Sequence, residues 1–310
     1  MTTLTQPITI PFRLLSLEDK PLYDGYLASE SGLGCEYSFA NRYLWGKQQI
    51  AVIHGQLLIF SEFGSHMMYA YPLGTGDKAP ALEAIVADAK ARGIVCRITG
   101  IPPKEKCVLE RLYPEEVRFR YDEGTFDYVY DVNDLADLKG KKFHGKRNHL
   151  NRFSEEHPNH KIEPLCRENL ALARSLVKDW YSARASENSN SYRLEIDAIE
   201  KAFLYQDQLA LEGLLLTENG TALALTIGSR LSHDTFDVQF EKARAEVNGA
   251  YTAINCAFAR YIREKYPEVR FLDREEDMGI EGLRKAKRSY RPHHMVEKYQ
   301  AYLLEHTYDR

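Results

Sequence analysis

The segment from Asp273 to Pro292 carries five acids and six bases, a density of charge that few structural segments need. An apolar run at residues 269–272 predicts a strand before it, and apolar residues at helical spacing predict a helix from about Ile280. Carboxylates at such a junction can accept a proton or bind an amino group, and guanidinium groups can bind phosphate or carboxylate. The residue types therefore suit proton transfer and the binding of charged groups at a strand-to-helix junction.

Two groups of side chains are candidates for a site in this region. The candidate catalytic residues are Glu275, Glu276 and, at the end of an earlier predicted strand, Glu241. The candidate substrate-binding residues are Arg284, Lys287, Tyr290 and Asn255. A structural interpretation stays open, in which Asp277 caps the helix, the two neighbouring glutamates favour its dipole, and Glu281 pairs with Arg284 or Lys285.

A second cluster of charge is basic and contains no acid over 14 residues. Its members are Lys139, Lys141, Lys142, Lys146, Arg147 and Arg152. Phe143, Leu150 and Phe153 recur at helical spacing within it, which predicts a helix that docks on one side and offers bases on another. The residues that we expect to contact a phosphate are Lys146, Arg147 and Arg152. The alternative is a solvated basic face.

Composition limits the class of protein. A chain of 310 residues with 44% hydrophobic content can bury a large core and suggests two domains or two fused units. No run approaches the roughly 20 apolar residues that cross a bilayer, and the N-terminus lacks the parts of a secretory signal, so we expect a cytoplasmic protein. A net charge of -4 argues against gross coating of nucleic acid. Five cysteines without a close pair predict neither a disulfide framework nor a metal site.

The same order of predicted strands and helices occurs in both halves of the chain. In the first half we predict strands at residues 49–53, 56–60 and 67–71, a helix at 81–92, a strand at 95–99, a helix at 104–112, and closing strands at 117–121 and 126–132. In the second half we predict strands at 211–216, 222–230 and 235–240, a helix at 250–265, a strand that ends at 272, a helix from 280, and a closing strand at 295–304. Two further helices, at 169–184 and 194–204, flank a polar connection that is a lid or a connector.

This order predicts an α/β (α+β) fold. Antiparallel strands followed by a helical crossover to a neighbouring strand imply a mixed, mostly antiparallel sheet flanked by helices. We predict two such units, at residues 1–135 and 136–310, the second of which carries the candidate site.

The charged segment also carries a specific pattern, Glu-Glu-Asp-x-Gly-x-x-Gly-Leu-Arg-x-Ala-Lys-x-Ser-Tyr-x-Pro. Together with the basic run at residues 139–153, it resembles the C-terminal domain family of bacterial phosphatidylglycerol lysyltransferases. The order of elements resembles a tandem of acyltransferase units of the GNAT type, a fold shared with the aminoacyl-tRNA-dependent enzymes that build peptidoglycan cross-bridges. The resemblance implies transfer of an activated acyl or aminoacyl group.

The resemblance also bears on the cofactor. In acyltransferases of this fold, a basic, Gly-rich turn at a helix start binds the pyrophosphate of coenzyme A. Arg244 and Gly249 fit the two ends of such a turn, but Val247 occupies a position where a glycine is expected and Glu246 adds negative charge. These departures favour aminoacyl-tRNA, whose energy lies in its ester, over acetyl coenzyme A. The basic run would then contact ribose and phosphate.

Three hypotheses of different classes remain open at this stage. The first is an acyl or aminoacyl transferase that uses an amine or hydroxyl acceptor. The second is a non-catalytic binding protein for nucleic acid or an anionic small molecule. The third is a coenzyme A-dependent N-acetyltransferase. The sequence identifies neither the donor, the acceptor, a protein partner nor the oligomeric state.

Overall fold

The computed structural model describes residues 9–184 and 190–303, which fall into two compact units. The first unit extends to Phe126 and resumes at Val296, and the second comprises Asp127–Met295. Each unit contains a seven-stranded sheet that is mostly antiparallel but includes a parallel pair of neighbouring strands. The predicted α/β fold of two mixed, mostly antiparallel sheets flanked by helices is confirmed.

The first unit contains both the first and the last strand of the described residues. Its strands are β1 (Arg13–Leu14), β2 (Lys47–Ile53), β3 (Gln56–Phe63), β4 (His66–Ala70), β5 (Cys96–Ile101), β6 (Val117–Tyr121) and β14 (Tyr299–Leu303), in the sheet order β1-β2-β3-β4-β5-β14-β6. Its helices are α1 (Lys20–Leu27), α2 (Phe39–Leu44), α3 (Ala79–Arg92) and α4 (Lys106–Leu112). The predicted meander and the predicted crossover helix of this half are confirmed.

The second unit contains the candidate site. Its strands are β7 (Asp127–Asp131), β8 (Lys161–Pro164), β9 (Glu212–Glu218), β10 (Thr221–Arg230), β11 (Thr235–Ala243), β12 (Phe271–Asp273) and β13 (His294–Val296), in the order β13-β7-β12-β11-β10-β9-β8. Its helices are α5 (Val132–Asp137), α6 (His144–Glu156), α7 (Leu170–Ser182), α8 (Asn190–Leu204), α9 (Ala250–Lys265) and α10 (Glu281–Arg288). The polar connection predicted as a lid or connector falls mainly on residues 185–189, outside the described residues.

Two predicted closing strands belong to the opposite sheets. β7, which was expected to close the first sheet, pairs with β12 in the second, and β14, expected in the second sheet, lies between β5 and β6 in the first. The boundaries at Phe126 and Met295 accordingly differ from the predicted one after residue 135. Alternating apolar residues satisfy either sheet equally, so local sequence does not choose between them.

The core of the second unit forms where α9 packs on the sheet. Ile254, Phe258 and Ile262 recur along one face of α9 and pack with Phe236 and Val238 of β11. This burial fixes the rotation of α9 about its own axis. Among residues 9–184 and 190–303, every helix is too short or too polar to span a bilayer.

Candidate functional site

A bulge in β11 turns Glu241 toward α9. Between the pairs Ile227 with Phe240 and Ser229 with Asp237, β11 contains one residue more than β10. An extra residue reverses the alternation of side chains beyond it, so Glu241 joins the face that Phe236 and Val238 occupy before the bulge. The sequence places a carboxylate on a face that would otherwise be apolar.

Glu241 is paired on both of its oxygens. Its Oε1 accepts a hydrogen bond of 2.7 Å from Nη2 of Arg274, which follows β12, and its Oε2 accepts one of 3.2 Å from Nδ2 of Asn255 on α9. The side chains of Arg274 and Glu241 are only 13% and 11% exposed. A charge pair so far from water is favourable only when its geometry and its further hydrogen bonds are good.

The surroundings of this pair contain polar atoms without partners. Among the described residues, nothing bonds to Nη1 of Arg274, Oδ1 of Asn255 or Oγ1 of Thr226, the residue that lies opposite Glu241 in the β10–β11 register. Buried polar atoms are nearly always hydrogen-bonded in folded proteins. These three polar atoms without partners, beside an ion pair, mark this place as a candidate ligand site.

Lys146 and Tyr290 complete the group. The Nζ of Lys146, on α6, lies 3.7 Å from the centroid of the Tyr290 ring, and the guanidinium of Arg274 lies 4.9 Å from it. Burial lowers the pKa of Lys146 to about 8, with help from the charge of Arg274 and against that of Glu241. The hydroxyl of Tyr290 contacts Oγ1 of Thr252 at 3.2 Å. We call the following residues the Glu241 cluster: Lys146, Thr226, Glu241, Asn255, Arg274 and Tyr290.

Lys287 holds the loop that carries Arg274. Its side chain is buried, and its Nζ donates hydrogen bonds to the carbonyl of Arg274, to that of Glu275 at 3.0 Å and to that of Glu276 at 2.6 Å. Glu275 has a φ of 58°, so the backbone turns left-handed there and aims successive carbonyls at one point. Lys287, predicted to bind a substrate anion, instead has its three donor positions occupied by backbone. Glu275 and Glu276, the predicted catalytic acids, are half-buried on this loop.

Asp277 is a buried ion-pair partner and not the cap of α10. Its carboxylate is fully buried and accepts hydrogen bonds from Nε and Nη2 of Arg284, from the hydroxyl of Tyr128 at 2.6 Å, and from the backbone N–H of Gly279. The N-cap residue of α10 is Ile280. Arg284, predicted to bind substrate, therefore fixes the turn before α10. The predicted pairing of Glu281 with Lys285 is present at 2.7 Å.

The stability that the ion pair of Asp277 with Arg284 contributes should depend on pH in the acid range. Despite burial, the hydrogen bonds from Arg284, Tyr128 and Gly279 lower the pKa of Asp277 from 3.8 to about 2. A depressed pKa in the folded state stabilises the protein above pH 4 and stops doing so as the pH falls from about 4 to about 2. The urea midpoint of Asp277→Asn should therefore lie below that of the wild type at pH 7, and the gap should narrow between pH 4 and pH 2. A gap independent of pH would contradict the assignment.

Most of the basic run is neutralised locally. Lys139 pairs with Asp137 at 2.9 Å, Lys142 with Asp134 at 2.6 Å, and Arg152 with Glu156 at 2.7 Å. The acids lie just outside the acid-free stretch, and only the Arg152–Glu156 pair has the i,i+4 spacing of one helical turn. Arg147 donates from Nη1 to the carbonyls of Leu138 and Gly140. Of the three residues expected to contact phosphate, Arg147 and Arg152 thus have structural partners, and Lys146 lies in the Glu241 cluster.

Residues of α6 pack against the turn before α9, where a cofactor pyrophosphate was expected to bind. Gly249 is the N-cap residue with a φ of 82°, and a Cβ built there would lie 2.6 Å from the carbonyl oxygen of His149 and 2.9 Å from Cβ of Phe153. Helix α6 therefore packs closely against the start of α9. Arg244 donates to the carbonyl of Ala222 at 2.8 Å and to Asp179 at 2.6 Å. The two predicted cofactor-binding residues thus have structural contacts.

Sequence reasoning missed two members of the Glu241 cluster. Arg274 lies in the charged segment, and its position directly after a strand was the available signal. The sequence contained no such signal for Thr226, because its position opposite Glu241 depends on the register between β10 and β11.

The fold of the two units is shared with a solved structure. A tandem GNAT protein from the clavulanic acid biosynthesis pathway has a similar fold, with a TM-score of 0.52 and 10% identity over 94% of this chain and 98% of that chain. The two units thus have a tandem GNAT-like fold.

The family can be stated more narrowly. Residues 31–302 match the family described as phosphatidylglycerol lysyltransferase, C-terminal, and the chain belongs to that family. A conserved protein of unknown function from Bacteroides thetaiotaomicron VPI-5482 is 35% identical, with a TM-score of 0.88 over 96% of this chain and 100% of that chain. The L-PGS of Bacillus licheniformis is similar in fold, with a TM-score of 0.65 and 15% identity over 92% of both chains.

A curated relative is more distant. The uncharacterized protein MYCGA3080 of Mycoplasmoides gallisepticum (strain R(low / passage 15 / clone 2)) is 22% identical over 195 residues, which span 60% of this chain and 60% of that relative.

Proposed function

We propose that this protein transfers an aminoacyl group from an activated ester, with aminoacyl-tRNA as donor, to an amine or hydroxyl acceptor at the Glu241 cluster. The observation that carries the proposal is the group of vacant polar atoms around the buried Arg274–Glu241 pair. The family match supports it, because the family description names a lysyltransferase.

The vacant atoms suit an aminoacyl group better than a simple acyl group. The amino group of an aminoacyl ester is a donor, and the available acceptors are Oδ1 of Asn255 and Oγ1 of Thr226 beside the carboxylate of Glu241. The ester carbonyl is an acceptor that becomes an oxyanion during transfer, and Nη1 of Arg274 is a vacant charged donor for it. An acetyl group offers the carbonyl and lacks the amino group.

The other predicted residues of the site have secondary roles in this proposal. Glu275 and Glu276 lie on the loop that carries Arg274, and we assign them to contacts with the acceptor. Tyr290 supports Arg274 and Lys146 through its ring. Arg284 and Lys287 hold the loop itself.

The alternatives have weaker support. A coenzyme A pyrophosphate needs open backbone N–H groups at a helix start, and α6 packs against the start of α9 near Gly249. A non-catalytic binding protein for nucleic acid or an anionic ligand would have no need of the buried Arg274–Glu241 pair and the polar atoms without partners around it.

The test uses two substitutions in the cluster and one outside it. Purified protein is incubated with tRNA charged with radiolabelled amino acids and with amine and hydroxyl acceptors, and the transferred label is counted. Thr226→Val removes a vacant acceptor and breaks no hydrogen bond among the described residues, so it should lower kcat/KM by about 10- to 100-fold at unchanged thermal stability. Glu241→Gln should cost about 100-fold or more.

The control is Glu218→Gln. Glu218 is also a paired carboxylate on the second sheet, bonded to His157 at 2.6 Å, but it is not part of the Glu241 cluster. It should leave transfer within about twofold of the wild type. Full transfer by Thr226→Val, or no transfer by the wild type with any charged tRNA, would contradict the proposal. A rise in melting temperature with acetyl coenzyme A would favour the N-acetyltransferase instead.

A further inference from the structure

The transfer reaction needs a proton acceptor, and Glu241 is poorly suited to be one. An amine or hydroxyl that attacks an ester must lose a proton, and the accepting atom must lie within hydrogen-bond reach of the nucleophile. Both oxygens of Glu241 already accept hydrogen bonds, one of them from a guanidinium. A carboxylate held in this way can receive the amino group of the donor, but both of its oxygens are already engaged when the nucleophile arrives.

We propose that Nζ of Lys146 is the proton acceptor of the nucleophile and later the proton donor to the leaving group. This inference rests on the proposed function and adds a catalytic residue to it.

The placement of Lys146 sets it apart from the rest of the basic run. Lys139, Lys142 and Arg152 each pair with an acid within 3 Å, whereas Nζ of Lys146 forms no ion pair within the described part of the chain. It lies instead against the face of the Tyr290 ring, at 3.7 Å from the centroid. A half-buried amine without a carboxylate partner can exist in its neutral form, which is the form that accepts a proton.

The groups around Lys146 come from four elements. Glu241 on β11 and Arg274 after β12 are the charged ones, and Tyr290 follows α10. On α9 the neighbours of the cluster are Asn255 and Thr252, which carry no charge. On α6 itself Arg147 turns away to the carbonyls of Leu138 and Gly140.

The balance of these charges places the titration of Lys146 near neutrality. Burial and the positive charge of Arg274 disfavour the ammonium, while Glu241 favours it, and the resulting pKa is about 8. Below pH 8 the amine is mostly protonated and cannot accept a proton, and above pH 8 it is mostly neutral. A base whose pKa lies near the working pH is the most effective one.

The step balances without a further reactant. The neutral amine of Lys146 removes a proton from the acceptor as the acceptor's nitrogen or oxygen bonds to the ester carbon. The oxyanion that forms is stabilised by Nη1 of Arg274. When the carbon–oxygen bond to the ribose breaks, the ammonium of Lys146 returns the proton to the ribose oxygen, so the enzyme ends in its starting state.

The test distinguishes a Lys146 that accepts a proton from a Lys146 that only binds an anion. Lys146→Arg keeps the positive charge but does not deprotonate, so kcat should fall by about 100- to 10,000-fold while KM for the charged tRNA changes by less than about threefold. In the wild type, log kcat should rise with pH to a plateau with an apparent pKa near 8, and the rise should be absent in Lys146→Arg. Lys146→Ala should be rescued by added ethylamine in proportion to its neutral fraction.

A second measurement needs no transfer activity. Lysines are reductively methylated with 13C-formaldehyde and followed by NMR, and the resonance that is missing in Lys146→Arg should titrate near pH 8. A titration above pH 10, or full activity of Lys146→Arg, would overturn the role of Lys146. A wild type that transfers nothing would overturn the proposed function, which is a different outcome from transfer retained in Lys146→Arg.

Discussion

Replacing Lys287 with Met should lower the free energy of unfolding by about 2–4 kcal/mol and should abolish transfer at the Glu241 cluster. The ammonium of Lys287 donates to the carbonyls of Arg274, Glu275 and Glu276 from a side chain that is 8% exposed. Each hydrogen bond to a charged donor contributes about 1.5–3 kcal/mol, and Met supplies none of them. Relief of the desolvation cost of a buried ammonium offsets part of that loss.

The effect on transfer follows from the backbone. Without Lys287 the three carbonyls have no common donor. The hydrogen bonds that offset the strain of the left-handed backbone at Glu275 are then lost. Arg274 begins this turn, so its guanidinium should lose its fixed position beside Glu241.

The matched control is Lys285→Met on the same helix. The side chain of Lys285 is 76% exposed and pairs only with Glu281, which is 80% exposed. Exposed pairs of this kind contribute little, so stability and transfer should stay near the wild type. Urea denaturation followed by circular dichroism measures both variants. Equal effects of the two substitutions would show that Lys287 does not hold the loop.

Replacing Gly249 with Ala should cost about 2–5 kcal/mol of folding stability. The φ of 82° disfavours any side chain, and a Cβ would lie 2.6 Å from the carbonyl oxygen of His149. The backbone of α6 would have to move away from α9 to make room. Because Lys146 lies on α6, transfer should fall as well, in a variant that alters no polar side chain.

Gly145→Ala on α6 is the control for Gly249→Ala. A Cβ at residue 145 would meet nothing within 4 Å, and the residue is helical. Alanine is the better helix former by roughly 0.5–1 kcal/mol, so this variant should be as stable as the wild type or more stable. Thermal unfolding of the two variants measures the difference. A Gly249→Ala protein as stable as Gly145→Ala would contradict the close packing of α6 on α9.

Local sequence predicted the elements of this protein well. The helix at residues 250–265 and the strands of both meanders depend on the period of apolar residues, and the structure confirms them. The pattern of the charged segment likewise pointed to the family that the comparisons show. These features are encoded within a few turns or strands of chain, where neighbours in sequence are neighbours in space.

Several residues of the charged segment have contacts in the structure that the sequence did not predict, and for one reason. Arg284 and Lys287 were expected to bind a substrate anion, yet the first pairs with Asp277 and the second binds backbone carbonyls. A sequence shows that bases and acids are close along the chain, but not which of them are buried together. Burial makes an unpaired charge expensive, so such residues find partners inside the fold.

The fold class, the family, the long helix of the second unit and the two charged stretches could all be predicted from the amino-acid sequence. The sheets that β7 and β14 join, and the members of the Glu241 cluster, became known from the three-dimensional structure. The extra residue in β11 illustrates the cause: by shifting the strand by one position, it moves Glu241 to the face of α9. Which face a side chain occupies depends on pairing between distant strands, and that information is absent from any local stretch of sequence.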